Sequence, residues 1–344
     1  MIFITGGTGL VGSHLLYELV QKMEKVRALK RKGSSLDGVR KVFGYYTDNP
    51  DALFSRIEWV EGDLLDADIL DKHLEGVSVV YHAGALVSFD PRDRNEMMKI
   101  NVNGTSILVD LALKKNIGKF CFISSVAAIG PLAGFEPADE SAYWKKTRNT
   151  SWYSWSKFKS EMEVWRAIAE GLNGVIVNPS VILGPGNFHR GSGRLFQTTY
   201  KGLVFYTNGI TGFVDVRDVV KVIIMLVEKE IFGERFILNS QNITYKDILG
   251  MIAKGLGRKI PYIKAGRYLT SLVWRLDWLK NKLTGLPLII TKETARAGQN
   301  RKLFSNEKIR GTLDFEFIPV AETIQQVCDI FLDEQAKRKK YKVF

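Results

Sequence analysis

The chain has 344 residues, 45% of them hydrophobic, which is enough for one large or two modest domains around a sizeable core. A formal charge of +12 and a sequence pI near 9.5 favour anionic partners: phosphorylated cofactors, acidic substrates, nucleic acid or a membrane surface. No run of ~18 apolar residues predicts a transmembrane helix, and Gly6 and Gly7 come too early for the apolar stretch of a signal peptide. The two cysteines, Cys121 and Cys328, fall in apolar patterns and read as free buried thiols, so a reducing, cytoplasmic location is expected.

In chain order, Met1–Ile4 is a short apolar strand that runs into Thr5-Gly6-Gly7-Thr8-Gly9-Leu10-Val11-Gly12, a G-x-x-G-x-x-G spacing. The helical pattern Leu10, Val11, Leu15, Leu16, Leu19, Val20 follows at once. Strand, glycine turn and helix form the setting of a dinucleotide-binding loop, in which backbone N–H groups and the helix dipole meet a pyrophosphate. Further strands are expected at Lys25–Lys30, Ile57–Val60, Val77–His82, Lys119–Ser124 and Gly174–Val177, with helices notably over Asn95–Lys115 and Trp152–Glu170. Such alternation predicts βαβ units, a parallel sheet and helices on both faces. The segment from Gly33 to Ser55 is irregular, with room for a short helix.

After Asn178-Pro179 the rhythm breaks into glycine-rich stretches, and helices are expected at 216–229, 244–256, 268–283 and 319–336. This suggests a smaller, mostly helical second lobe: residues 1–178 with 204–238 in the sheet domain, and 179–203 with 239–344 in the lobe. The ligand crevice of an open α/β sheet lies beyond the C-terminal strand ends, so residues there carry most weight. The cation run Lys337-Arg338-Lys339-Lys340 reads as a solvated helix end.

Ser124-Ser125 end the fifth strand, and Tyr153-Ser154-Trp155-Ser156-Lys157 follows some thirty residues on. Tyr153 and Lys157, at i and i+4, share one helix face. An ammonium beside a phenol favours the phenolate, which predicts a lowered tyrosine pKa and a proton donor or acceptor for a carbonyl/alcohol pair. His82 ends a strand without ligand-spaced partners, and no metal cluster is expected.

Taken together, the ordered motifs resemble the extended short-chain dehydrogenase/reductases over nearly the whole length. The markers are the glycine loop, Gly62-Asp63-Leu64, Tyr81-His82-Ala83-Gly84-Ala85, Asn101-Val102-Asn103-Gly104-Thr105, Ser124-Ser125, Tyr153 with Lys157, Asn178-Pro179, Gly184-Pro185-Gly186 and Phe213-Val214-Asp215-Val216-Arg217-Asp218. The resemblance implies a Rossmann-type doubly wound α/β fold. It implies a catalytic set of Ser125, Tyr153, Lys157 and Asn101, in which Lys157 also binds the nicotinamide ribose and Ser125 holds the substrate oxygen. Asp63 and Leu64 would contact adenine; His82, Ala83, Gly84, Ala85, Ser124, Asn178 and Pro179 would line the cofactor channel. Gly84 departs from the family's usual alanine, a change that both residues' small size should allow.

A carboxylate after the second strand usually binds the ribose 2′-hydroxyl of NAD. Here Lys30, Arg31 and Lys32 stand there with Ser34 and Ser35, which suits a 2′-phosphate and predicts NADP(H) over NAD(H). The basic turn, the Ala85–Phe89 segment and the lack of an arginine in Thr211–Val214 favour a carbonyl reductase or alcohol dehydrogenase of the dihydroflavonol reductase-like or 3β-hydroxysteroid dehydrogenase-like branch. The alternatives are a nucleotide-sugar epimerase or dehydratase, with Arg190, Arg194 and Arg217 as a phosphate clamp, and a silent cofactor-binding regulator. Ser88, Phe89, Asn178, Phe188, His189 and Arg194 are the expected substrate contacts, and the substrate is a small molecule. The 268–290 stretch, with Tyr268, Leu272, Trp274, Leu276, Trp278, Leu279, Leu286 and Leu288 among cations including Lys280, reads first as lobe core. A substrate mouth or a membrane-surface helix is the sharper alternative. The stripe Trp155, Phe158, Met162, Trp165, Ala169 suggests a helix–helix seam and a homodimer. No nucleic-acid reader motif is present.

Overall fold

A computed structural model describes residues 1–22, 25–130, 136–147, 150–284 and 291–341. Seven parallel strands form the main sheet. They are β1 (Ile2–Thr5), β2 (Val26–Lys30), β3 (Ile57–Glu61), β4 (Val79–His82), β5 (Lys119–Ile123), β6 (Gly174–Pro179) and a last strand, Glu234–Leu238. Their spatial order is 3-2-1-4-5-6 and then the last strand, so the order reverses direction between β1 and β4. That reversal opens a crevice above the C-terminal ends of β1 and β4. Strands buried on both faces need apolar residues throughout, and β1 (IFIT) and β6 (GVIVNP) are buried along their whole length. One core packs the helix α1 (Leu10–Lys22) and Val216–Glu228 on one face through Leu15, Leu16, Val219 and Ile223. The opposite core packs Gly104–Lys114 and Trp152–Ala169 through Leu108, Val109, Val164 and Ala167.

Outside the main sheet lie a three-stranded sheet, Val181–Leu183, Ile210–Asp215 and Gln241–Thr244, and a two-stranded pair, Phe205–Tyr206 with Ile263–Lys264, so 205–215, expected with the sheet domain, instead pairs with segments expected in the second lobe. Helices Tyr245–Gly255 and Val320–Tyr341 close its core around Phe196, Phe213, Ile252 and Phe331. Val181–Leu183, Phe205–Tyr206 and Ile263–Lys264, at two or three residues each, are too short for a period-2 pattern to show in the sequence.

Two local expectations are corrected. The irregular stretch 33–55 holds two short helices, Asp37–Phe43 and Pro50–Phe54, the second opened by the Asn49 side chain accepting from the Ala52 N–H. The helix expected over Asn95–Lys115 is not continuous: Arg94–Met98 passes through a π turn at Lys99–Asn103 before Gly104–Lys114. Apolar periodicity is blind to one wide turn, yet π turns concentrate at functional sites.

The apolar stripe on Trp152–Ala169 is also partly accounted for within the chain. Trp144 stacks on Phe158 at 4.3 Å and on Trp155 at 5.3 Å. Trp165 packs against the core, and Met162 remains exposed.

Candidate active site

At the mouth of the crevice β1 turns into α1. Gly6 has φ +72°, and a Cβ there would lie 2.6 Å from the Ala83 carbonyl and the Gly84 nitrogen, so glycine is required on both counts. The Gly9 N–H donates to the Gly6 carbonyl at 2.9 Å, and a Cβ on Gly12 would sit 2.2 Å from that same oxygen. Gly9 is different: it is exposed, and a Cβ there meets nothing but the Gly6 carbonyl, at 3.2 Å. The exposed backbone of Thr8 and Gly9 leads into Leu10, Val11 and Gly12 in the first turn of α1, which carries no acidic residue. An unneutralised N-terminus beside exposed backbone fits a pyrophosphate.

Beyond β2 the cation cluster divides. Lys30 is paired with Glu61 on the neighbouring strand at 2.5 Å, so its charge already has a partner at the surface. Arg31 and Lys32 are exposed and face solvent at the turn. Asp63 is exposed and accepts from the Leu65 N–H at 2.9 Å. Leu64 packs at Gly84 and Gly104, where added Cβ atoms would meet it at 3.1 and 3.0 Å. A Cβ on Gly84 would also come within 2.9 Å of Thr5 Oγ1, so the family's alanine is not a free exchange here.

The other end of the crevice is buried. Tyr153 stands in the first turn of the helix Trp152–Ala169, which the Ser151 side chain caps by accepting from the Ser154 N–H. The Tyr153 hydroxyl shares a hydrogen bond with Ser125, and Phe89 lies edge-on to its ring at 5.8 Å. Ser125 Oγ accepts from the Ala127 N–H, so its own proton is free to point at the phenol. Ser124, by contrast, is buried and donates to Glu161 at 2.5 Å. One turn on, Lys157 is buried; its Nζ donates to the Ile123 carbonyl at 2.8 Å and lies 4.4 Å above the Phe122 ring. Burial lowers the Lys157 pKa to about 8, opposed by Glu161. The Tyr153 pKa is raised by burial, with the Ser125 hydrogen bond opposing. This corrects the expected depression: desolvation of the phenol outweighs its partners.

Asn101 lies in the π turn and is buried. Its side chain accepts from the Leu86 N–H at 2.7 Å and donates to the Leu86 carbonyl at 2.9 Å and to Ser156 Oγ at 3.0 Å. It therefore braces the loop after β4 against Ser156 of the tyrosine helix. Its carbonyl accepts from Thr105 Oγ1 and from Ser160 Oγ at 2.7 Å, joining the π turn to the tyrosine helix.

His82 was expected to line the channel, but it is fully buried, between Thr5 Oγ1 at 2.6 Å and Thr105 Oγ1 at 2.9 Å. Burial pushes its pKa down to about 3, so the ring is neutral. The proton directions follow by elimination. Thr105 spends its proton on the Asn101 carbonyl, so it accepts from His82 Nε2–H; Nδ1 then accepts from Thr5, whose oxygen accepts from the Gly84 N–H. One directed chain thus ties the glycine-loop strand to the π turn. Ala83 is partly buried and Ala85 exposed beside it.

Sequence reasoning missed Glu161. It accepts from Ser124, from Asn178 Nδ2 at 2.5 Å and from Arg235 at 3.4 Å. Burial raises its pKa, opposed by Ser124, Arg235, Asn178 and Lys157. The available signal was its spacing: Tyr153, Lys157 and Glu161 follow at steps of four. Arg235, on the last strand, gave none. Asn178 is correspondingly turned inward, donating to the Ser125 carbonyl at 3.0 Å as well as to Glu161, and Pro179 is buried at the end of β6. Both hold the site from behind.

The expected substrate contacts separate. Phe89 reaches Tyr153. Ser88 is engaged locally, donating to Asp93 at 2.6 Å. Phe188 is buried against Phe331 and Phe196 in the lobe core, a correction that follows from its aromatic neighbours. Phe188 and His189 border a cavity of about 210 Å³ with Lys41 and Glu334. Arg194 is exposed, and Arg217 is held by Asp215 at 2.6 Å, which removes it from a phosphate clamp. A larger cavity of about 570 Å³, lined by Glu140, Trp165 and Arg235 among others, includes none of the four proposed catalytic residues.

Residues 2–238 match the model of the NAD dependent epimerase/dehydratase family. The chain is 31% identical over 265 residues to a "Putative dihydroflavonol 4-reductase" of Synechocystis, covering 75% of this chain and 73% of that protein. It is 30% identical over 274 residues to sterol demethylase protein B of Methylococcus capsulatus, covering 75% of each. Among solved structures, gox2253 superposes with a TM-score of 0.79 at 27% identity over 97% of this chain and 98% of that one. A UDP-glucose 4-epimerase of Thermotoga maritima, at 18% identity and TM-score 0.77 over 97% and 99%, shares the fold. The chain belongs to the NAD-dependent epimerase/dehydratase family and is an NAD(P)-dependent enzyme of the short-chain dehydrogenase/reductase type.

Proposed function

We propose that this enzyme is an NADP(H)-dependent reductase that interconverts a carbonyl and a secondary alcohol on a small organic substrate. The observation that carries the reading is the Tyr153 hydroxyl at the crevice, hydrogen-bonded to Ser125 and one helical turn from the buried Lys157. A neutral phenol is the form that can donate a proton to a carbonyl oxygen as it is reduced. On substrate binding Ser125 would turn its hydroxyl proton from the phenol to the same carbonyl oxygen, and Phe89 closes the apolar side. Lys157, protonated below about pH 8, sits one turn behind Tyr153 and supplies positive charge as the phenol gives up its proton. The cofactor, when bound, supplies or takes the hydride. The glycine loop would hold its pyrophosphate, and the exposed Arg31 and Lys32 its 2′-phosphate.

The reductase relatives support this reading, and the internal Arg217–Asp215 pair weakens the nucleotide-sugar alternative. The test is consumption of NADPH, followed by absorbance with a panel of ketones and aldehydes, against the same panel with NADH. Conversion of a nucleotide sugar without net cofactor turnover overturns the proposal. We also propose a homodimer through the outer faces of Gly104–Lys114 and Trp152–Ala169, where Met162 is exposed. Light scattering that finds only monomer at micromolar concentration refutes it.

A further inference from the structure

The helix Arg267–Thr284 does not behave as lobe core. Its described side chains are exposed or half-buried, with Tyr268 95%, Leu272 54%, Leu276 56% and Trp278 50% exposed. Leu279 and Lys280 are side chains outside the description, and Leu286 and Leu288 lie outside the described residues. The strand pair beside this helix in sequence is similar: Phe205, Tyr262 and Ile263 are exposed as well. With Ile260, these make up more than half of the exposed large apolar residues among those described. Singly exposed apolar residues are ordinary, but a contiguous group marks a contact surface.

The charge around it is one-sided. From Arg258 to Thr284 the sequence has seven cations and one carboxylate, Asp277. At 100° per residue, Arg275 and Lys282 fall on the same outward side as Tyr268 and Leu272. Arg275 stacks on Trp274 at 5.0 Å and Lys282 lies 5.5 Å from the Trp278 ring, so cation and indole are presented together. A second copy of this face would set like charges against each other. A nucleic acid would satisfy the cations but leave Leu272 and Leu276 in water. An anionic lipid surface meets both: headgroups take the cations, and the acyl boundary takes Leu, Tyr and Trp. No helix among the described residues is long and apolar enough to cross a membrane, so such a helix lies on the surface.

We propose that the helix Arg267–Thr284, with the Phe205–Tyr206/Ile263–Lys264 pair, docks the enzyme onto anionic phospholipid membranes. This is independent of which substrate is reduced. The full chain is floated with vesicles of phosphatidylcholine alone and of phosphatidylcholine mixed with phosphatidylglycerol, at low and high salt. It should float with the anionic vesicles at low salt and much less with the neutral ones. Leu272→Ser with Leu276→Ser, and separately Arg275→Glu with Lys282→Glu, should each cut flotation by ~tenfold or more. Circular dichroism and cofactor binding should stay unchanged, since these side chains stand at the surface. Failure to float with anionic vesicles, or flotation of both variants equal to that of the parent protein, overturns the proposal. It is also overturned if the variants abolish a concentration-dependent dimer, or binding to single-stranded DNA, in a protein that never floats.

Discussion

The two ends of the crevice are built on opposite terms. At the tyrosine end, Lys157, Glu161, Asn178 and Asn101 are buried, and each is fixed by partners from other elements. At the glycine-loop end Thr8 and Gly9 are exposed, and Arg31 and Lys32 extend into water. The first end is organised before any ligand arrives; the second offers donors and charge to be completed by one. Chemistry that depends on sub-ångström placement belongs at the first, and recognition that tolerates exchange belongs at the second.

The sharpest way to break this contrast is Tyr153→Phe. Turnover should fall by ~10²–10⁴-fold, while fluorescence titration finds cofactor affinity nearly unchanged. Retained turnover would show that the buried end does not carry the proton. Next comes Arg31→Asp at the open end, which should invert the cofactor preference with a change of ~10–100-fold in relative affinity and little change in kcat with the preferred cofactor. If NAD already binds more tightly to the parent enzyme, the assignment of the basic turn fails.

Glu161→Gln should act more subtly, as befits a positioning residue. Its carboxylate raises the Lys157 pKa, so losing it moves that pKa below about 8, and the alkaline limb of the rate profile shifts to lower pH. A uniform fall in rate at every pH would mark a purely structural part. The smallest effect concerns stability. His82 and His14 are held neutral by burial, at about 3 and about 4 against an ordinary 6.5. The unfolded chain therefore binds more protons below pH 6.5, and this stability, fully present above that value, is lost as pH falls towards 3–4. Tm measured from pH 7.5 downward should decline below 6.5, and His82→Phe should flatten the decline. An unchanged slope in that variant would remove His82 from the acid response.

The motifs that demand particular residue types were legible in the sequence. Gly6 and Gly12 are required by one positive φ and two close backbone contacts, and Tyr153 with Lys157 by helical spacing. The parallel sheet follows from the βαβ alternation. What stayed hidden was assembled from far apart. Arg235 meets Glu161 across 74 positions, and Trp144 covers a stripe that by itself looks like a dimer seam. Lys30 resembles its two neighbours until the strand register places Glu61 opposite it. The helix Arg267–Thr284 has the periodicity of a core helix, and periodicity says which face is apolar without saying what covers it.

The π turn at Lys99–Asn103 has a consequence for chain length. A π turn holds one residue more than an α turn closing the same gap. Deleting a single residue between Met98 and Gly104 would let the segment close as an unbroken α-helix, with no gap in the chain. The flanking segments would keep their orientation, and the loss would fall on the wide turn that presents Asn101. The Leu86 backbone would lose its asparagine, and the loop that carries Phe89 would lose its anchor. At this position an alignment gap of one would cost more than most substitutions of the same residues.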